Sequence, residues 1–324
     1  YAPELLPFIK IKVDESGKVG QYYLTGSQMF HMMNKVSESL AGRVGILSMY
    51  SLSRAEIEGN NSLPFNPSNI KNIVSDDSIS DIFDKILKGG MPRIISDPEL
   101  SADDFFNSYI QTYIERDIKD LIKVSNESKF IKFTSCVAAR TSHEVNIADI
   151  AKDVEIDRKT AESWLSILVT SGLVILINPY SGNTIKRIVK RPKLYFMDTG
   201  LACYLSMWNN ARALELSAMS GAMFENYVVS EIIKSYSNNG LDVRSRLFYY
   251  RDNNGKEIDL LIFENGKLYP IEIKKNADPG KNAIKNFSVL TSFKEIIGEG
   301  AVLCMASMTI PIDNKNKIVP IKAI

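Results

Sequence analysis

Two runs of alternating polarity, 257–264 and 267–275, are separated only by Asn265-Gly266. An Asn-Gly pair between such runs is the strongest short-range signal for a two-residue β-hairpin. The tight turn also fixes the register. With Glu264 facing Lys267, Asp259 faces Glu272 and Glu257 faces Lys274. Side chains alternate along a strand, so Glu257, Asp259, Glu272 and Lys274 are expected on one face. Ile258, Leu260, Ile262, Tyr269, Ile271 and Ile273 are expected on the other, which reads as a core face.

Directly opposed carboxylates repel and weaken a sheet. A divalent cation between Asp259 and Glu272 removes that cost, and Mg2+ favours hard oxygen ligands of this kind. Lys274 could orient a water or offset charge building on a phosphorus centre. Glu225, on the helical stretch 223–236, could supply a third carboxylate. Such a set suits metal-assisted phosphodiester hydrolysis, with the cation polarising the phosphate and lowering the pKa of the attacking water. Glu225, Asp259 and Glu272-Ile273-Lys274 resemble the restriction-endonuclease-like superfamily, whose pattern is a helix glutamate, an aspartate and Glu-x-Lys. The resemblance implies catalytic roles for all four residues and metal ligation by Asp259 and Glu272. Two other readings stand beside it: a half-solvated sheet face whose charges pair across strands, and a nuclease-like fold kept as a scaffold without turnover.

At 324 residues the chain is long enough for two or three domains. Its net charge of +1 gives no global pull toward nucleic acid or membrane, so binding to either must come from local patches. Cys136, Cys203 and Cys304 are odd in number and far apart, which argues against a disulfide framework and for a reducing compartment, the cytoplasm by default. No apolar run reaches the length of a membrane span. The opening at Tyr1, in an apolar segment, reads as that of a fragment.

Four regions are expected. Residues 1–58 read as part of an α/β domain, with a helix over 2–12, a turn over 14–20, and buried strands over 21–27 and 44–52. Ligands of such sheets sit beyond the carboxyl ends of the strands, where Thr25 and Ser27 lie. Residues 59–125 read as a helical lid or connector, its clearest helix over 104–123 with Phe105, Tyr109 and Tyr113 on one stripe. Over 126–204, three helices and a hairpin read as a winged helix. Its third helix, capped by Asp157, turns Arg158 and Lys159 outward, and its wing carries Lys186, Arg187, Lys190, Arg191 and Lys193. In such folds the third helix can enter the DNA major groove while the wing touches the backbone. Residues 205–324 hold the helix and meander of the nuclease-like α/β domain. The fold class is thus multidomain, α/β and α+β.

Tyr23-Leu-Thr-Gly-Ser-Gln28, Ser39-Leu-Ala-Gly-Arg43, Ser51-Leu-Ser53, Thr199-Gly-Leu201, Gly221-x-x-Phe-Glu225 and Glu257-Ile-Asp259 resemble prokaryotic AAA-type P-loop ATPases that end in the domain of unknown function 4143. The resemblance covers essentially the whole chain. It implies a P-loop, an acidic strand end for magnesium, and a sensor strand that reads the terminal phosphate, here Thr25 and Ser27. Arg43 could neutralise phosphate charge. The chain departs from the family where its Gly-Lys pairs, at 17, 255, 266 and 280, are never followed by Ser or Thr. ATP is therefore implied for the full-length protein and is not expected on this chain.

Two functions follow. One is an ATP-driven protein associated with DNA whose last domain cuts with Mg2+. The other is a non-cleaving, nucleotide-regulated protein that binds a protein partner, favoured by the 14 Lys/Arg against 12 Asp/Glu from Gly221 onward. Either could be oligomeric, and neither involves a membrane.

Overall fold

A computed structural model describes residues 3–25, 40–61, 63–113, 127–183 and 190–324. The chain opens with a 3-10 turn at Pro3–Leu5 and helix α1 (Leu6–Ser16), which starts and ends four residues later than the spacing predicts. It ends where Gly17 takes a left-handed φ of 62°, a conformation that a Cβ disfavours. Residues 21–25 and 44–52 are not strands, contrary to expectation. Among the described residues neither pairs with a neighbouring strand, without which a β conformation is not held. Tyr23, Leu47 and Met49 are correspondingly exposed.

Helix α2 (Arg54–Ile57) starts with a capping box between Ser53 and Glu56, and α3 (Ile79–Lys88) with one between Ser78 and Asp81. Then follow α4 (Pro92–Ser96) and α5 (Ala102–Tyr113). The buried stripe of α5 is Phe106, Ile110 and Tyr113, one residue round from the expected one, with Phe105 and Tyr109 at its edge. The rest of the helix expected to 123 lies outside the described residues.

Gly89-Gly90 does more than interrupt helices. The Leu52 N–H donates to the Gly90 carbonyl, and the Gly90 N–H donates to Asp198 Oδ2 at 2.9 Å. A Cβ on Gly90 would fall on the Leu52 carbonyl oxygen, and one on Gly200 would lie 2.7 Å from the Lys88 carbonyl oxygen. Three backbones meet here with no room for side chains.

Helices α6 (Glu127–Ala138), α7 (Ile147–Val154) and α8 (Arg158–Thr170) precede an antiparallel hairpin of β1 (Val174–Ile177) and β2 (Lys193–Phe196). Asp157 caps α8 by accepting the Thr160 N–H. Trp164 meets Phe130 and Phe133 edge-on and is core. Short helices α9 (Thr199–Leu205) and α10 (Ala211–Leu216) lead to α11 (Ser220–Ser237).

The last portion is a mixed sheet in the order β3 (Leu247–Arg251), β4 (Glu257–Glu264), β5 (Lys267–Lys274), then β7 (Gly300–Cys304), β9 (Asn316–Pro320) and β8 (Ile310–Pro311), with the short β6 (Ile296–Ile297) pairing with β5. Strands β5, β7 and β9 are parallel, and the first three are antiparallel. Helix α11 covers one face, while 3-10 turns over Lys281–Ser292 pack Phe287 and Leu290 on the other. A single buried core runs from Phe65 to Ile321 across helices, hairpin and sheet.

Candidate active site

The β4–β5 hairpin has the register read from its turn, from Glu264↔Lys267 to Leu260↔Ile271. The regular ladder stops there. On the other side of β4, Phe248 faces Leu261 but Tyr250 faces Ile258, so Tyr249 alone stands against Asp259 and Leu260. This is a β-bulge, which re-aims side chains where it occurs. It also corrects the expected face. Ile258 packs with Phe248, Leu261 and Leu268, whereas Leu260, Ile262, Ile271 and Ile273 join the main core. Both faces are covered, so the sheet is not half-solvated.

At the bulge, Asp259 Oδ2 accepts the Ile273 N–H at 2.8 Å, taking the place of a ladder bond. Lys274 Nζ lies 2.6 Å from Glu272 Oε1 and 3.7 Å from Asp259 Oδ2. It does not pair with Glu257, the partner that an unbroken register gives it. Asp259 and Glu272 are both buried, and Glu272 Oε2 is buried with no hydrogen-bond partner. Burial first, and then the Asp259 charge, push the Glu272 carboxyl up to about 8, against the pull of Lys274. Burial opposes charge on Lys274 too, but Asp259 and Glu272 outweigh it and raise its pKa.

Glu225 lies on α11, next to β2. Its Oε1 accepts from Lys193 Nζ at 3.0 Å and from the Tyr195 hydroxyl at 2.8 Å. Lys193 Nζ also lies 2.6 Å from Glu257 Oε1 and 5.6 Å from the centre of the Tyr249 ring. Burial pushes Glu225 up to about 7, with Lys193 lowering and Asp259 raising it. Burial likewise works against the Lys193 ammonium, yet the surrounding acids leave its pKa well above normal. Lys193 is therefore no wing residue open to DNA: only 3% of it is exposed, and its charge is spent on Glu225 and Glu257. The sequence carried one signal for this. Lys193-Leu-Tyr195 places both polar groups on one side of a strand otherwise buried.

Four carboxylates and two ammonium groups thus gather where β2, α11 and the ends of β4 and β5 meet. Among the described residues no group of three or more His, Cys, Asp or Glu is arranged to hold a metal ion. Magnesium asks for less, since it is commonly held by one or two carboxylates and keeps several waters. Asp259 and Glu272 fit that demand. The orphaned Glu272 Oε2 is a buried carboxyl oxygen that needs a cation or a proton, and Lys274 already marks the place of positive charge.

The remaining expected residues are scattered. Thr25 is exposed, and Ser27 lies outside the described residues. The Arg43 guanidinium is held by Asp14 through bonds of 2.6 and 3.1 Å, which lowers the Asp14 pKa and raises its own. Arg158 pairs along its helix with Glu162, and Lys159 is exposed. Lys190 and Arg191 are exposed at the foot of β2, while Lys186 and Arg187 fall outside the described residues.

Comparison with known proteins follows this layout. Residues 1–58 match the model of an AAA domain, residues 79–212 a domain of unknown function (DUF8612), and residues 220–324 a domain of unknown function (DUF4143). The chain therefore joins a segment that matches an AAA domain to one that matches DUF4143. The uncharacterized proteins Mb2031c of Mycobacterium bovis and Rv2008c of Mycobacterium tuberculosis are each 25% identical over 281 residues, 86% of this chain and 57% of the relative. The chain spans a little over half the length of those relatives. No solved structure matches it.

Proposed function

We propose that the DUF4143 portion is a Mg2+-dependent phosphodiesterase acting on nucleic acid, carried by an ATPase whose AAA domain includes residues 1–58. One observation carries this reading. A β-bulge sets Asp259 beside Glu272 with Lys274 between them, and leaves Glu272 Oε2 buried and unpartnered. Asp259 and Glu272 would hold the ion, which when bound would polarise the phosphodiester and lower the pKa of the attacking water. Lys274 moves its charge from the carboxylates to the phosphoryl oxygens as negative charge builds there. Glu225, fixed by Lys193 and Tyr195, sets the field behind Asp259 and has a pKa near neutrality, suited to taking or returning a proton. We read α6–α8 with the β1–β2 hairpin as a winged helix, whose Arg158, Lys159, Lys190 and Arg191 meet the backbone of DNA.

A second reading is favoured by the ion pairs themselves. Lys193 and Lys274 already engage Glu225, Glu257 and Glu272, so the site is closed without a metal. In that case the DUF4143 portion is a scaffold that docks a protein partner. Calorimetry with Mg2+ and Mn2+ on the chain and on Asp259→Asn, with plasmid nicking alongside, separates the two. Binding and nicking that disappear together support the nuclease; no binding at millimolar metal leaves the scaffold.

A further inference from the structure

A groove of about 200 Å3 opens beside this site, lined by Tyr180, Lys190, Tyr250, Arg251, Asp252 and Phe293. Its wall is aromatic. Phe293 meets Tyr180 and Tyr250 edge-on, with ring centres 5.3 and 5.8 Å apart. Its rim is cationic. Lys190 is exposed and makes no ion pair among the described residues, and Arg251 reaches Glu144 and Glu257 only at 3.7 and 3.6 Å. Asp252, the one acid in the lining, is occupied within its own turn. Its Oδ1 accepts the N–H groups of Asn254 and Lys256 at 2.8 and 2.9 Å. The groove is smaller than the roughly 300–1,000 Å3 of a pocket for a whole small molecule.

The position is as informative as the lining. Tyr250 faces Ile258 and Arg251 faces Glu257 across β3 and β4, so the groove adjoins the residue before Asp259. Glu272, on β5, is two strand spacings away, about 10 Å. We infer that this groove is a subsite for one unpaired nucleotide of a nucleic-acid strand, its base against Tyr250 and Phe293 and its phosphate between Lys190 and Arg251. The inference rests on the proposed hydrolytic site for its direction: the strand continues from here to Asp259 and Glu272. Aromatic faces with cations alongside are how proteins hold single strands without regard to sequence, and every base supplies a face to stack. The aromatic wall gives affinity and Lys190 gives salt dependence, two separable effects.

The test is fluorescence anisotropy of a labelled twelve-nucleotide oligothymidylate, in EDTA so that no cleavage occurs, as a function of salt. Tyr250→Ala weakens binding about tenfold at every salt concentration, with Tyr250→Phe close to the unaltered chain. Lys190→Gln lowers the slope of log affinity against log salt by about 0.7. Thermal unfolding of each variant confirms that the fold is intact. Absence of binding by the unaltered chain, or affinities that neither variant changes, overturns the subsite. Plasmid nicking in Mg2+ is scored separately. Tyr250-dependent binding without nicking rejects the hydrolytic reading and keeps the subsite; nicking with Tyr250-independent binding does the reverse.

Discussion

Replacing Lys193 by Met tests whether this lysine is the centre of a buried ion network or a surface charge. Its side chain is 4% exposed and faces Glu225 at 17% and Glu257 at 30%. Removing one partner of a buried pair typically costs about 3–5 kcal/mol, because the other charge stays buried without compensation. Glu225 keeps its bond from Tyr195, and Glu257 keeps Arg251 and some solvent, which points to the low end. We expect a loss of about 3 kcal/mol at pH 8. The loss depends on pH, and its sign is fixed by Glu225. This carboxyl already sits near 7 with the ammonium beside it, and loses a stabilising charge in the variant, so its pKa rises further. A carboxyl whose folded pKa lies above its unfolded value takes up a proton on folding. Its contribution is fully present below the unfolded pKa and is lost as pH rises through the folded one. At pH 5 Glu225 is neutral in the variant, and the destabilisation shrinks to about 1–2 kcal/mol, the lost packing and the Glu257 pair. Urea unfolding followed by tryptophan fluorescence at the two pH values measures both numbers. A loss below about 1 kcal/mol at pH 8, or one equal at both pH values, would refute the buried-network account.

Asp259→Ala leaves the buried Ile273 N–H without an acceptor and should cost about 1–3 kcal/mol in metal-free buffer. Asp259→Asn keeps an acceptor there and should retain that stability while losing Mg2+ binding by calorimetry. Gly90→Ala drives a methyl group onto the Leu52 carbonyl and should cost about 1–3 kcal/mol, read as a lower melting temperature. An unchanged melting temperature would show that the junction of residues 52, 90 and 200 is looser than its backbone contacts indicate.

How much of this was legible in the sequence differs from element to element. The Asn265-Gly266 turn alone set the register of β4 and β5, because a two-residue turn permits one pairing. Asp157 announced its helix through a cap that acts within three residues, whereas the capping boxes at Ser53 and Ser78 came from the structure. The motif set singled out Glu225, Asp259, Glu272 and Lys274, and in the fold Lys274 lies against Asp259 and Glu272 while Glu225 pairs with Lys193. The bulge at Asp259 and Leu260 was not legible, since it arises from how β3 fits against β4 and has no local signature. Nor was the fate of Lys193. A lysine beside Lys190 and Arg191 looks like part of a basic patch, and only the packing of β2 against α11 buries it beside Glu225 and Glu257. Likewise 21–25 and 44–52 have strand-like sequences but no strand, because β structure needs a neighbour and sequence pattern cannot supply one. What the sequence determined here was local: turns, caps and the choice of charged residues. Which charges neutralise one another, and which oxygen of Glu272 is left without a partner, was decided by contacts between segments tens of residues apart.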